Sequence, residues 1–90
     1  MKFLHYEFKI GSEDTVEVEL DSQANVFLVD DHNFSDFKAG RAYKYYGGLA
    51  EKSPVYLSPP NSGHWHLVID LGGYAGSVNA SVRLNKAHYA

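Results

Sequence analysis

The chain has no cysteine, and that absence excludes thiolate nucleophiles, disulfides and every cysteine-ligated zinc site. It also has no long apolar run. The N-terminus, Met1-Lys2-Phe3-Leu4-His5-Tyr6-Glu7-Phe8-Lys9-Ile10, carries a charge or a histidine every few residues, which fits neither a signal peptide nor a membrane span. The expectation is a soluble, cytoplasmic protein with no membrane partner, and the lack of cysteine fits a reducing compartment. Bases are few as well: 8 Lys and Arg stand against 11 Asp and Glu, for a net charge of −3, which argues against a nucleic-acid partner.

Catalytic words are missing too. None of the serines lies in a Gly-x-Ser-x-Gly elbow, and the glycine clusters lack both the phosphate-loop pattern and the dinucleotide fingerprint. The carboxylate pairs Glu17/Glu19 and Asp30/Asp31 would need a cleft to do acid and base work, and they fit a solvated strand face and a helix entry instead. No internal repeat, linker or low-complexity segment divides the 90 residues, so residues 1–90 read as a single domain. With 44% hydrophobic and 14% aromatic content, a chain of this size buries roughly 60 to 65% of its unfolded surface, enough for a small core.

The residues that are present alternate with period two. Leu4, Tyr6, Phe8 and Ile10 interleave with His5, Glu7 and Lys9, and Val16, Val18 and Leu20 with Glu17 and Glu19, the pattern of half-buried strands. Asn25 to Asp30 is apolar through its middle, as in a strand covered on both faces. In the stretch Ser62 to Ser77, alternation sends Trp65, Leu67, Ile69 and Leu71 to one face and His64, His66, Val68 and Asp70 to the other. Pro54 to Ser58 reads as a short strand stopped by Pro59-Pro60 at a sheet edge, and Val78 to Leu84 as the last strand before a tail, Asn85 to Ala90. Phe34 and Phe37, with a cap at Asn33 or Ser35 and a stop at Gly40, predict one or two helical turns near residues 33–40. Gly47-Gly48 predicts a tight turn or bulge between Arg41 and Lys52 rather than a regular element. The fold class is therefore all-β, a small antiparallel β-sandwich, jelly-roll-like or an open barrel, with one short helical turn.

Three groups of residues carry candidate chemistry. His64 and His66 on one strand face have Cα atoms roughly 6.5 to 7 Å apart, a spacing that suits chelation of one transition-metal ion by imidazole nitrogens. His5 would supply a third ligand if the first strand lies alongside. Asp70 has the right parity but sits roughly 13 Å away along a straight strand. The string His-x-His-x-x-x-Asp resembles the first metal motif of cupins, yet the acid is Asp where cupins use Glu, and no second motif follows. The alternative is that one histidine packs or hydrogen-bonds at the sheet surface while the other is solvated. The second group is the aromatic and basic segment Arg41, Tyr43, Lys44, Tyr45 and Tyr46, where flat apolar rings and cationic groups would stack a nucleotide or sugar or meet an acidic protein surface. Against that, Tyr43 and Tyr45 would alternate into the core with Tyr46 covering the sandwich edge. The third is charge: residues 1–37 hold two lysines against nine acids, and residues 38–90 six bases against two, giving either one basic patch or solvated loop charge.

Several words in one order resemble a known family. Asn33-Phe34-Ser35-Asp36-Phe37-Lys38-Ala39-Gly40-Arg41, Tyr45-Tyr46-Gly47-Gly48, Ser53-Pro54-Val55, Ser62-Gly63-His64-Trp65-His66 and Asp70-Leu71-Gly72-Gly73-Tyr74-Ala75-Gly76 are similar to the bacterial family catalogued as domain of unknown function 1883, from Met1 to about Leu84. The resemblance implies a small β-sandwich without a known activity, some of whose relatives are joined to a TIR-type signalling domain. It carries no catalytic residues. The functional expectation is a noncatalytic ligand- or protein-binding module of a bacterial cytoplasmic protein. It would need no cofactor, and its partner would be a protein, a small molecule or a second copy of the chain. The alternative is a small metal-dependent enzyme or metal-binding protein that uses His64, His66 and His5 with a divalent transition metal.

Overall fold

A computed structural model describes residues 3–71 and 78–86. Among these described residues, seven strands and one helix follow in the order β1 (Phe3–Ile10), β2 (Thr15–Leu20), β3 (Ala24–Val29), α1 (Asp31–Ala39), β4 (Tyr46–Ala50), β5 (Val55–Leu57), β6 (Gly63–Asp70) and β7 (Ala80–Asn85). They form two antiparallel sheets, one of four strands in the order β1-β6-β3-β4 and one of three in the order β5-β2-β7. The class is the expected small antiparallel β-sandwich, and the two sheets remain separate without closing into a barrel.

The alternating rows meet between the sheets. Ile10, Val16, Val18, Val26, Leu28, Trp65, Leu67 and Ile69 are buried there, with Leu4, Tyr6 and Phe8 of β1 packed against them. The β1 to β2 connection crosses from one sheet to the other. Its turn is closed by Asp14, whose backbone N–H donates to the Gly11 carbonyl at 3.0 Å and whose carboxylate accepts from Gly11 N–H at 2.8 Å. β5 spans only Val55–Leu57, shorter than the expected Pro54 to Ser58, and is an edge strand of the smaller sheet, as the flanking prolines predict.

A third layer covers the outer face of the larger sheet. Phe34 and Phe37 of α1 pack on Phe27, Val29 and Val68, with Phe3 and Tyr43 at the margin. β3 is consequently buried on both faces, which is why its sequence is apolar without alternation. The helix is longer than the one or two turns expected near residues 33–40. It starts two residues earlier because the Asp30 carboxylate, not Asn33 or Ser35, is the N-cap, accepting from Asn33 N–H at 2.8 Å. It stops where expected. Gly40 takes a left-handed φ of 76°, and Gly40 and Arg41 N–H return to the carbonyls of Phe37 and Asp36.

The segment expected to be a turn contains β4, and this corrects the reading of Gly47-Gly48 as a break. Gly47 has φ +140°, and a Cβ there would lie 2.2 Å from the Val26 carbonyl oxygen and 2.8 Å from Phe27 Cα. The glycine lets β4 approach β3 closely, Phe27 opposing Gly47 and Val26 opposing Gly48. The final strand also differs: it begins at Ala80 rather than Val78 and includes Asn85, held by an Asn85 Nδ2–H bond of 3.1 Å to Glu17 Oε1. β6 ends at Asp70, one residue before Leu71. The Gly72-Gly73-Tyr74-Ala75-Gly76 connection and the end of the tail lie outside the described residues.

Candidate functional site: a histidine and carboxylate cluster at the helix–sheet seam

β1 runs antiparallel to β6, with His5 opposite Val68 and Glu7 opposite His66. The odd-numbered residues of β1 therefore share a face with the even-numbered residues of β6, and that face lies under the first turn of α1. His5, Glu7, His64, His66 and Asp31 converge there. His5 Nε2 lies 2.7 Å from His66 Nδ1, His66 Nε2 lies 2.6 Å from Asp31 Oδ1, and His64 Nδ1 lies 2.7 Å from the same oxygen. Glu7 Oε1 is 3.6 Å from His66 Nδ1 and 3.8 Å from His64 Nε2.

His66 is the centre of the group and is buried, while the other four residues are exposed. A polar ring in that position must have its nitrogens satisfied, and both are. The hydrogen-bond directions follow from the carboxylate, which only accepts. His66 Nε2–H and His64 Nδ1–H donate to Asp31. His66 Nδ1 is then left as an acceptor for His5 Nε2–H. The two donated bonds, that from His66 foremost, hold the Asp31 carboxyl below its ordinary pKa. The His5 imidazole is likewise pushed below its usual value, first by partial burial and then by the neighbouring His66. Asp31 also stands in the first turn of α1, where the helix dipole favours a negative charge.

Phe34 orients the rings. It stacks on His5 at 4.2 Å between centroids and on His66 at 4.3 Å, the latter with planes 13° apart, and Lys38 Nζ lies 4.7 Å from the Phe34 ring centroid. With a ring face of each histidine against Phe34, their nitrogens project edgewise into the polar cluster.

Chemically, the cluster contains two triads suited to a metal ion, His5/Glu7/His66 and Asp31/His64/His66, each with its ligand atoms within 4.8 Å of one another. Imidazole and carboxylate in a two-to-one ratio suit zinc, iron or other first-row divalent ions. The structure brings the three histidines singled out from the sequence into one group, and it adds Glu7 and Asp31. Glu7 has a local signal, since His5-x-Glu7 puts both side chains on one face as His64-x-His66 does. Asp31 has none, because only the seating of α1 on the sheet carries it to His66. Asp70 shares the face but lies elsewhere, bordering a depression of about 210 Å³ with Asn25, Phe27, Tyr43, Tyr45, Gly48 and Leu49.

The tyrosines of the aromatic and basic segment divide between the two faces of the larger sheet. Tyr43 packs against Phe27 and Phe37 on the helix side, and burial, followed by the charges of Tyr45 and Asp70, raises its phenol pKa. Tyr45 rests on Phe27 and Tyr43 but stays 52% exposed. Tyr46, one residue further along, turns to the sandwich side and meets Trp65 edge-on at 5.7 Å. Arg41 Nε–H donates to Asp36 Oδ1 at 2.9 Å, and Lys44 N–H donates to Asn33 Oδ1 at 2.8 Å.

A two-sheet antiparallel sandwich with a helix across one outer face, and a histidine and carboxylate cluster at that seam, defines a small β-sandwich domain. The chain belongs to the family described as Domain of unknown function (DUF1883), whose model matches residues 1–88. No curated protein and no solved structure matches it. Among the described residues, no helix is long and apolar enough to cross a membrane.

Proposed function

We propose that this chain is a noncatalytic binding module of the bacterial cytoplasm and that its ligand is a divalent transition-metal ion. The observation that carries the reading is the convergence of three imidazoles and two carboxylates from β1, β6 and α1 on the buried His66. A bound zinc ion with metal–nitrogen bonds of about 2.0 to 2.1 Å would space its ligand atoms roughly 3.3 Å apart. The three hydrogen-bonded pairs stand at 2.6 to 2.7 Å, so these ligand atoms need to part by about 0.6 to 0.7 Å. The four exposed side chains around His66 have room to do so.

Binding is favoured over catalysis by exposure. The side chains of Glu7, Asp31 and His64 are 55%, 68% and 47% accessible, and a substrate there would remain in water, without the exclusion that strengthens catalytic electrostatics. The cytoplasmic placement accords with the absence of cysteine.

The test is metal analysis and calorimetry on untagged protein, purified without a nickel column and titrated with zinc. Stoichiometric, chelator-reversible binding that is lost on His66→Gln is the expected result. A chain that takes up no zinc, cobalt or copper would overturn the reading.

A further inference from the structure

The two triads use opposite edges of one ring. His66 Nδ1 faces His5 and Glu7, at 2.7 and 3.6 Å, while His66 Nε2 faces Asp31 at 2.6 Å, and Asp31 in turn holds His64. A single ion reaches only one edge of an imidazole, and filling either triad alone would leave the other pair of ligands without a metal. We propose that His66 is a bridging ligand, its Nδ1 binding one divalent transition-metal ion together with His5 and Glu7 and its Nε2 binding a second together with Asp31 and His64. The proposal rests on the metal-binding reading above and gives its stoichiometry and coupling.

Three observations support a bridge over two unrelated sites. His66 is the one buried member, 5% exposed, and cannot swing to serve the triads in turn. Phe34 stacks on its ring face within 13° of parallel, which fixes the plane in which both nitrogens, and hence both ions, must lie. The remaining ligands are divided by element: His5 and Glu7 come from β1, Asp31 from α1 and His64 from β6, with Glu7 Oε1 also 3.8 Å from His64 Nε2.

The step balances without a redox partner. A neutral imidazole carries one N–H, here on Nε2; when each nitrogen donates its lone pair to a metal ion, that proton leaves to solvent. His5 and His64 ligate as neutral rings, each moving its proton to the nitrogen that faces away from the ion. Each triad supplies three protein ligands and leaves a position for water.

The experiment is to strip the untagged full chain with chelator, load it with copper(II) at about pH 8, above the ordinary histidine pKa, and record binding stoichiometry and electron paramagnetic resonance. Two equivalents of copper, with a spin signal well below that of two isolated ions because the shared ring couples them, is the expected result. His64→Ala and His5→Ala, both at exposed positions, should each bind one equivalent and give the full signal of one isolated ion. Two equivalents with an undiminished signal, or two equivalents retained in either variant, would overturn the bridge. One equivalent in the unmodified chain also overturns it while leaving the metal-binding reading intact, whereas none would remove both.

Discussion

Phe34 lies flat against His66, ring centroids 4.3 Å apart and planes 13° from parallel, and also stacks on His5. One side chain of α1 thus seals the outer core and orients the imidazoles of the polar cluster. The histidine face of the sheet and the helix depend on each other.

Replacing Phe34 by Ala should cost about 3 to 5 kcal/mol, the range for an aromatic removed from a packed site. The expected companion effect is spectroscopic: the His5 and His66 ring protons should lose the ring-current shifts that Phe34 imposes. Denaturant melts and proton NMR check both. Unchanged histidine resonances would show that the stacking does not persist in solution.

Gly47 and Gly48 should respond differently to the same substitution. Gly47→Ala places a methyl 2.2 Å from the Val26 carbonyl oxygen and should destabilise by roughly 1 to 3 kcal/mol or more through overpacking. A Cβ at Gly48 meets nothing within 4 Å, so Gly48→Ala should fall within about 0.5 kcal/mol of the parent. Chemical denaturation of the two variants decides it, and equal effects would contradict the close β3–β4 contact.

Trp65→Ala should be among the most damaging single changes, at about 3 to 5 kcal/mol. The indole is 4% exposed in the core between the sheets, and its Nε1–H donates to the Asn61 carbonyl at 3.0 Å. A loss under about 1 kcal/mol in urea melts would place the residue on the surface.

Asp21 should make stability depend on acid pH. Its carboxylate accepts from Asn79 backbone N–H and Nδ2–H, each at 2.8 Å, and these bonds, the backbone one foremost, hold its pKa below the ordinary value. Folding then binds fewer protons at this group than the unfolded chain does. The contribution is fully present above the unfolded pKa of about 4 and is lost as pH falls through the lower folded value. Urea melts below about pH 4 should show a smaller slope against pH for Asp21→Asn than for the parent, and identical slopes would exclude the linkage.

Much of the fold is legible in local pattern because strand alternation is a local property. Leu4, Tyr6 and Phe8, Val16 and Val18, and Trp65, Leu67 and Ile69 show in the sequence which face meets the core, since successive side chains must point to opposite sides. Gly40 marks the helix end for an equally local reason, the left-handed backbone it adopts. β4 is not legible: Gly47 and Gly48 look like a turn until the strand that approaches them is known, and that strand, β3, lies about twenty residues away. The cluster divides in the same way. The parity of His5 with Glu7, and of His64 with His66, is written in each strand. That the two pairs share one face depends on the β1–β6 register, and that Asp31 joins them depends on Phe34 and Phe37 seating α1 over β3 and β6. Those are long-range packing outcomes, and no local pattern specifies contacts made between residues 35 and 61 positions apart.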